Sequence, residues 1–197
     1  MSAGEVFQPP FGKNGGKYYK LIKIHGGLKS MTKKVVVLID GGYYDSLNYY
    51  LKRNRGKKLD IEKLSKKVVK DGIHIRTKFY HSYPYQSENP TREEKEKYRK
   101  AQRFFYTIGS KKNHEFCDVG RVRPKYFTCP ECGTKFMKPQ QKGVDVGLAL
   151  DLVKMARKRV ADEFILISGD EDFAAAVELA QEELCNVIVY YASDNNY

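Results

Sequence analysis

The chain has 197 residues, of which 41% are hydrophobic and 30% charged, and it carries a formal net charge of +12. No apolar run approaches the roughly 20 residues of a membrane-spanning helix, and the N-terminus lacks the apolar stretch of a secretory signal. Four cysteines in such a chain do not make a disulfide framework. These properties exclude a membrane protein and a secreted disulfide scaffold, and they predict a cytoplasmic protein with one main domain.

The positive charge indicates partners more than fold. A basic surface attracts and steers phosphate polyanions, so nucleic acid is the expected partner. Binding to a membrane surface would need a basic helix with a wide apolar face, and no segment has that pattern. Solvated lysines without a partner are the alternative, and self-association into a homo-oligomer stays open.

Residues 1–32 are rich in Gly, Lys and Tyr without sustained periodicity, which predicts a basic, loosely ordered tail. The main domain, residues 33–197, begins with a β-branched apolar run at 35–39. A run without polar alternation is typical of a strand covered on both faces by helices. Helices are predicted next at 44–52 and 60–70, followed by an alternating strand at 73–80.

Residues 84–141 are predicted to be an insertion. Thr91 and Glu94 match a capping box, so a charged helix should begin there. The cysteine-bearing stretch that follows has no regular period and predicts irregular structure. Regular structure then resumes, and its alternation predicts a three-layer α/β sandwich with a mostly parallel sheet: a helix at 144–160, a strand at 164–168, a helix at 173–184 and a strand at 187–191.

Aspartates follow two of the apolar strands. Asp40 comes directly after the first, and Asp170 and Asp172 come shortly after the strand at 164–168. Ligands of open α/β sheets bind beyond the carboxyl ends of the strands, so these side chains belong to the functional edge. Asp145 reaches the same edge only if the N-terminus of its helix comes close.

Carboxylates that meet at one edge repel one another, and such a cluster is tenable mainly with a divalent cation. Mg²⁺ and Mn²⁺ prefer carboxylate and water oxygens and share their remaining coordination with phosphate. Each aspartate alone also has a structural interpretation, as a helix cap, a charge at a helix start or a turn residue. Together they favour metal-dependent hydrolysis of a phosphodiester.

Three motifs in this order resemble the NYN domain, in the LabA/DUF88 group of the PIN-like nucleases. They are Asp40-Gly41-Gly42-Tyr43 after the first strand, then Lys142-Gly143-Val144-Asp145, then Ser168-Gly169-Asp170-Glu171-Asp172-Phe173. The resemblance implies a PIN-like fold and RNA cleavage with Mg²⁺ or Mn²⁺. It covers approximately Lys33 onward and is weakest in the insertion.

The resemblance also implies roles for individual residues. The catalytic and metal-binding set would be Asp40, Asp145, Asp170 and Asp172. Lys142, Ser168 and Tyr43 would stand on the substrate side, although a solvated lysine is an equal interpretation of Lys142. Tyr43 is a departure, because many family members have Asn at that position.

The cysteines indicate a second metal. Cys129 and Cys132 flank a short turn and form half of a zinc knuckle. His114 and Cys117 offer a second pair at the same spacing, so a structural Zn²⁺ site across these four residues is one interpretation. A thiol pair without metal, and a site completed by another chain, are the others. Zinc would stabilise an insertion that has little core of its own.

Aromatic residues lie among cations between residues 76 and 106. Such a mixture suits single-stranded nucleic acid, although inward packing of the rings is the alternative. The rings in question are Tyr80, Tyr83, Tyr85, Phe104, Phe105 and Tyr106.

The favoured function is a metal-dependent nuclease, with RNA preferred to DNA as substrate. The alternative is a non-catalytic RNA-binding module on the same fold, but a pure binder gains nothing from carboxylates that repel phosphate. A small-molecule phosphatase would want a second acid two residues after Asp40, where Gly42 stands.

Overall fold

The computed structural model describes residues 32–192, so the predicted tail lies outside the described residues except for its last position. No helix in this range is long and apolar enough to cross a membrane. The elements in chain order are β1 (Lys34–Asp40), α1 (Gly41–Arg55), α2 (Ile61–Val69), β2 (Ile73–His81), α3 (Arg92–Gly109), β3 (His114–Asp118), β4 (Arg121–Thr128), β5 (Lys135–Lys142), α4 (Val144–Arg157), β6 (Glu163–Ile167), a 3-10 turn (Glu171–Phe173), α5 (Ala174–Glu182) and β7 (Asn186–Tyr190).

Five strands form one parallel sheet in the order β3-β2-β1-β6-β7, with helices on both faces. The predicted three-layer α/β sandwich is therefore confirmed. β1 lies in the middle, and its alternate side chains point to opposite faces. Val36 and Leu38 join the core formed with α4 and α5, whereas Val35 and Val37 join the core formed with α1, α2 and α3.

The predicted capping box is confirmed at the start of α3. The Thr91 side chain accepts a hydrogen bond from the Glu94 backbone, and the Glu94 side chain accepts one from the Thr91 backbone. α1 begins earlier than the predicted residue 44, at Gly41, because Asp40 caps it with its side chain. A helix that starts directly after β1 places the strand end and the helix N-terminus at one point.

The prediction of irregular structure in the cysteine-bearing stretch after α3 is wrong. After α3 the chain forms β3, which pairs with residues 77–81 of β2 and extends the main sheet. Next, β4 and β5 form a two-stranded antiparallel hairpin. β3 is an edge strand and the hairpin is largely exposed, so neither needs the long apolar run by which a buried strand is recognised.

A partly buried ion pair joins α4 to β2. Lys78 Nζ lies 2.7 Å from Asp151 Oδ2, and the Tyr80 hydroxyl donates to the same oxygen at 3.0 Å. Burial alone would raise the pKa of Asp151, but the hydrogen bond from Lys78 and its positive charge outweigh burial and lower it. The ionised form of Asp151 is thus favoured in the folded chain.

This lowered pKa predicts how acid affects stability. The contribution of Asp151 is fully present above its ordinary pKa of 3.8 and is lost as the pH falls through the lower pKa of the folded state. We expect Asp151→Asn to cost about 1 kcal/mol at neutral pH and to weaken the loss of stability below about pH 4. Urea unfolding at several pH values measures both effects. Parallel curves for the two proteins would contradict the prediction.

Candidate active site

Asp40 is held at the end of β1 by three hydrogen bonds. Its Oδ1 accepts from the backbone of Gly42 at 2.9 Å and of Tyr43 at 3.3 Å, which caps α1. Its Oδ2 accepts from the Ser168 hydroxyl at 2.9 Å. The side chain is buried. These contacts fix the carboxylate rather than leaving it to move in solvent.

Ser168 links the ends of two neighbouring strands. Its hydroxyl donates to Asp40 and accepts from the backbone of Asp170 at 3.2 Å. Only 2% of Ser168 is exposed. A hydroxyl used in this way positions the two aspartates, and the place of Ser168 on the substrate side stays a prediction.

Asp170 and Asp172 follow β6 as predicted, and Asp170 has a structural role as well. Asp170 Oδ1 accepts from the backbone of Asp172 at 3.0 Å and caps the 3-10 turn. The capping interpretation and the functional one are compatible, because a carboxylate has two oxygens and several acceptor positions.

A cavity of about 560 Å³ opens at this edge of the sheet. Its lining brings together the ends of β1 and β6 and the start of α4: Asp40, Gly42, Tyr43, Gln141, Asp145, Gly169, Asp170 and Glu171. Gln141 and Glu171 were not among the predicted site residues. Glu171 lies between two predicted aspartates, so the sequence could have indicated it as a site residue. No feature of the sequence indicates Gln141.

Asp145 meets the condition set for it, because the N-terminus of α4 comes close to the other acids. The pKa of Asp145 is raised, first by partial desolvation and then by the negative charges of Asp40, Asp170 and Asp172. The other three predicted carboxylates are therefore near enough to act on Asp145. This arrangement concentrates negative charge at one point of a basic protein.

The donor chemistry of this cluster fits a hard divalent cation. Every charged group in it is a carboxylate, the ligand type that Mg²⁺ and Mn²⁺ prefer, and like-charge repulsion is what a cation would relieve. Within residues 32–192, no group of three or more Asp, Glu, His or Cys side chains is arranged so that it forms a ready-made cage able to hold a metal ion. Ions that keep several waters do not require such a cage.

Tyr43 and Lys142 differ in their relation to the cavity. Tyr43 lines it, and its hydroxyl accepts from the backbone of Ala192 at 2.6 Å. Its ring covers Gly169, where an added Cβ would lie 2.8 Å from the ring. Lys142 is exposed at the end of β5 and is not part of the cavity lining. Tyr43 thus has a packing role as well as a place at the site.

The predicted site with His114, Cys117, Cys129 and Cys132 as joint ligands does not form. His114 and Cys117 are three residues apart in β3, so they point to opposite faces of the sheet. Cys117 joins the core, where burial is the main cause that raises its pKa to about 12. The His114 ring packs against His74.

Cys129 and Cys132 lie between β4 and β5. Hydrogen bonds with Thr134 and Cys129 lower the pKa of Cys132 to about 7.

Most of the aromatic residues between 76 and 106 pack inward. Tyr80 and Phe105 are buried, and the Phe105 ring stacks on Phe116 with 4.0 Å between centroids. Tyr83 contacts the same rings from outside. Tyr106, at 79% exposure, is the exception. These residues therefore support α3 on the sheet and do not form a base-stacking surface.

Comparison with known proteins adds three findings. The family model described as "NYN domain" matches residues 34–196. An uncharacterized protein, y4oD, of Sinorhizobium fredii is 50% identical over 42 residues, which are 21% of this chain and 20% of that protein. The chain thus aligns with about a fifth of the length of this curated relative.

A crystal structure of a Vibrio parahaemolyticus protein of unknown function has a similar fold. The TM-score is 0.50 at 21% sequence identity, over 83% of this chain and 84% of that one. At this identity the similarity concerns the fold alone. It agrees with the layered α/β architecture described above.

Proposed function

This chain belongs to the NYN domain family and has its PIN-like nuclease fold, and from that premise we propose that it is a metal-dependent ribonuclease. The observation that carries the proposal is that Asp40, Asp145 and Asp170 line one cavity. Asp172 is not part of the lining, but its negative charge helps to raise the pKa of Asp145. A basic surface around an acidic cavity attracts a phosphodiester and offers it a place for a cation.

Asp40 and Asp170 would be the principal ligands of Mg²⁺ or Mn²⁺, with Asp145 and Asp172 completing the set. The bound ion supplies activation of water and neutralisation of phosphate charge. Ser168 holds Asp40 and the backbone of Asp170 in a fixed relation. Gln141 and Tyr43 form part of the wall against which a nucleotide would lie. Pre-set ligands need little rearrangement when substrate binds.

Cleavage of end-labelled oligonucleotides tests this proposal. Single-stranded RNA, duplex RNA and single-stranded DNA would each be incubated with Mn²⁺, with Mg²⁺ or with EDTA. We expect cleavage of RNA with either ion and none with EDTA. Cleavage that persists in EDTA would indicate a contaminant, and tight RNA binding without any cleavage would favour a non-catalytic binding module on this fold.

Zinc is proposed for the hairpin with a smaller ligand set than the sequence suggested. Cys129 and Cys132 would supply two thiolates, and the remaining ligands would come from a second chain. Zinc measured after purification without added metal should be retained in Cys117→Ala and lost in Cys129→Ser. Zinc that survives in Cys129→Ser, or that is missing from the wild type, would rule the site out.

A further inference from the structure

The base of the β4–β5 hairpin is fixed beside the carboxylate cavity. The backbone of Val119, just before β4, donates to the carbonyl of His81 at the end of β2 with a distance of 3.0 Å. Gly120 has φ +76°, and a Cβ there would lie 2.8 Å from the backbone nitrogen of Val144. Gln141, near the end of β5, lines the cavity itself. The hairpin is thus an arm that starts at the cavity rim.

One face of this arm carries a ladder of cations. Cross-strand partners share a face, and along each strand every second residue belongs to it. The pairs on this face are Arg121 with Lys142, Arg123 with Gln140, Lys125 with Lys138 and Phe127 with Phe136. All of these side chains are exposed, whereas Val122 and Pro124 on the other face are half-buried. The cation face is therefore open to solvent along its whole length, whereas the other face is half-buried near the base of the hairpin and exposed at its outer end.

The ladder is electrostatically incomplete in the chain by itself. Two of its cross-strand pairs place like charges directly opposite each other, which destabilises a hairpin. No acidic side chain among residues 32–192 forms a salt bridge with any of the five cations. Phosphate groups on this face would relieve that repulsion.

The outer end of the ladder carries an exposed pair of rings. Phe127 and Phe136 stack with 5.7 Å between centroids, and Lys125 lies 5.2 Å from the centre of the Phe127 ring. Exposed rings beside cations suit unpaired bases, which stack on aromatic faces while phosphates contact the cations. A duplex keeps its bases stacked inside and offers no such contact. From Phe136 to Lys142 the strand spans roughly 20 Å.

We infer that this face binds single-stranded nucleic acid and guides it to the carboxylate cavity, an inference that rests on the proposed nuclease function. The strand lies along the cations with its bases toward the two rings. Because Gln141 belongs to the other face of the hairpin, the strand passes around the edge of β5 to enter the cavity.

Binding measured in EDTA tests the arm separately from catalysis. Fluorescence anisotropy of a labelled single-stranded RNA would be recorded over a series of salt concentrations. Since each neutralised phosphate of a single strand contributes about 0.7 to the slope of log K against log salt, Arg123→Ala/Lys125→Ala/Lys138→Ala should make the slope shallower by about 2. Phe127→Ala should weaken binding roughly tenfold and leave the slope unchanged.

A matched triple variant removes the same charge elsewhere. Lys57→Ala/Lys58→Ala/Lys158→Ala changes exposed lysines after α1 and α4, at the sheet edge opposite the cavity, and should leave the slope nearly unchanged. If both triple variants make the salt slope shallower by the same amount, the RNA is attracted by the overall charge of the protein, and the inference is overturned. So would hairpin variants that bind RNA normally but lose binding to phosphatidylserine vesicles. If the protein cleaves no RNA with Mn²⁺ or Mg²⁺ but the hairpin variants change binding as expected, the nuclease proposal is refuted. The hairpin would then still be a binding surface for single-stranded nucleic acid.

Discussion

Asp170→Asn should lower the metal-dependent cleavage rate at least about a hundredfold while leaving the fold intact. Asn has nearly the volume of Asp but carries no charge, so the cation would lose one of its principal ligands. The capping bond to the backbone of Asp172 survives, because an amide oxygen also accepts and Asn is a good helix cap. Removing one of several like charges should leave the melting temperature unchanged or slightly higher.

The matched control for this variant is Glu182→Gln, at an exposed position near the end of α5. It removes the same charge from the same protein and should cleave like the wild type. Initial rates at saturating Mn²⁺, with melting curves for all three proteins, are the measurements. An active Asp170→Asn protein with a normal metal requirement would refute the assigned role of Asp170.

Gly41→Ala should destabilise the protein by about 2–3 kcal/mol or more, because the new methyl group has no space. Its Cβ would lie 2.5 Å from the backbone carbonyl oxygen of Tyr80, and a buried sheet backbone does not yield easily. The helix must therefore shift away from β2, and the Asp40 carboxylate would shift with it. Cleavage should fall together with stability, even though Gly41 touches no substrate.

Gly42→Ala provides the comparison from the next position in the chain. A Cβ at Gly42 would meet only Asp40 Oδ1, at the ordinary contact distance of 3.4 Å. Alanine is a better helix former than glycine by about 1 kcal/mol, so this variant should be neutral or more stable. Urea unfolding of both variants decides the matter. Equal stability of the two would show that the close approach at Gly41 is not a constraint.

The part of the site that lies at strand ends was predictable from sequence. Asp40 and Asp170 follow long apolar runs, and such runs reveal buried parallel strands without reference to the rest of the chain. Asp145 needed tertiary structure, since its place depends on where the N-terminus of α4 lies. The role of Ser168 also depends on β1 and β6 being neighbours, which no local pattern states.

The structural predictions that were wrong concern exposed strands and an edge strand of the sheet. β3 and the hairpin have little buried surface, so their sequences lack the apolar period that identifies strands. Treating them as irregular allowed His114 and Cys117 to be combined with the other cysteines. Once residues 114–118 are a strand, that spacing separates the two side chains across a sheet. The spacing of ligands is informative only when the local backbone is known.

The ion pair between Lys78 and Asp151 also affects the position of Asp145 in the acidic cavity. Asp145 and Asp151 lie on one helix, separated by about 9 Å along its axis. Apolar contacts between a helix and a sheet tolerate small rotations of the helix about its axis, because apolar attraction has no preferred direction. The short hydrogen bond from Lys78 to Asp151 is directional, so it restricts the rotation of α4 about its own axis. A partly buried contact at a distance from the cavity therefore helps to set the angular position of Asp145.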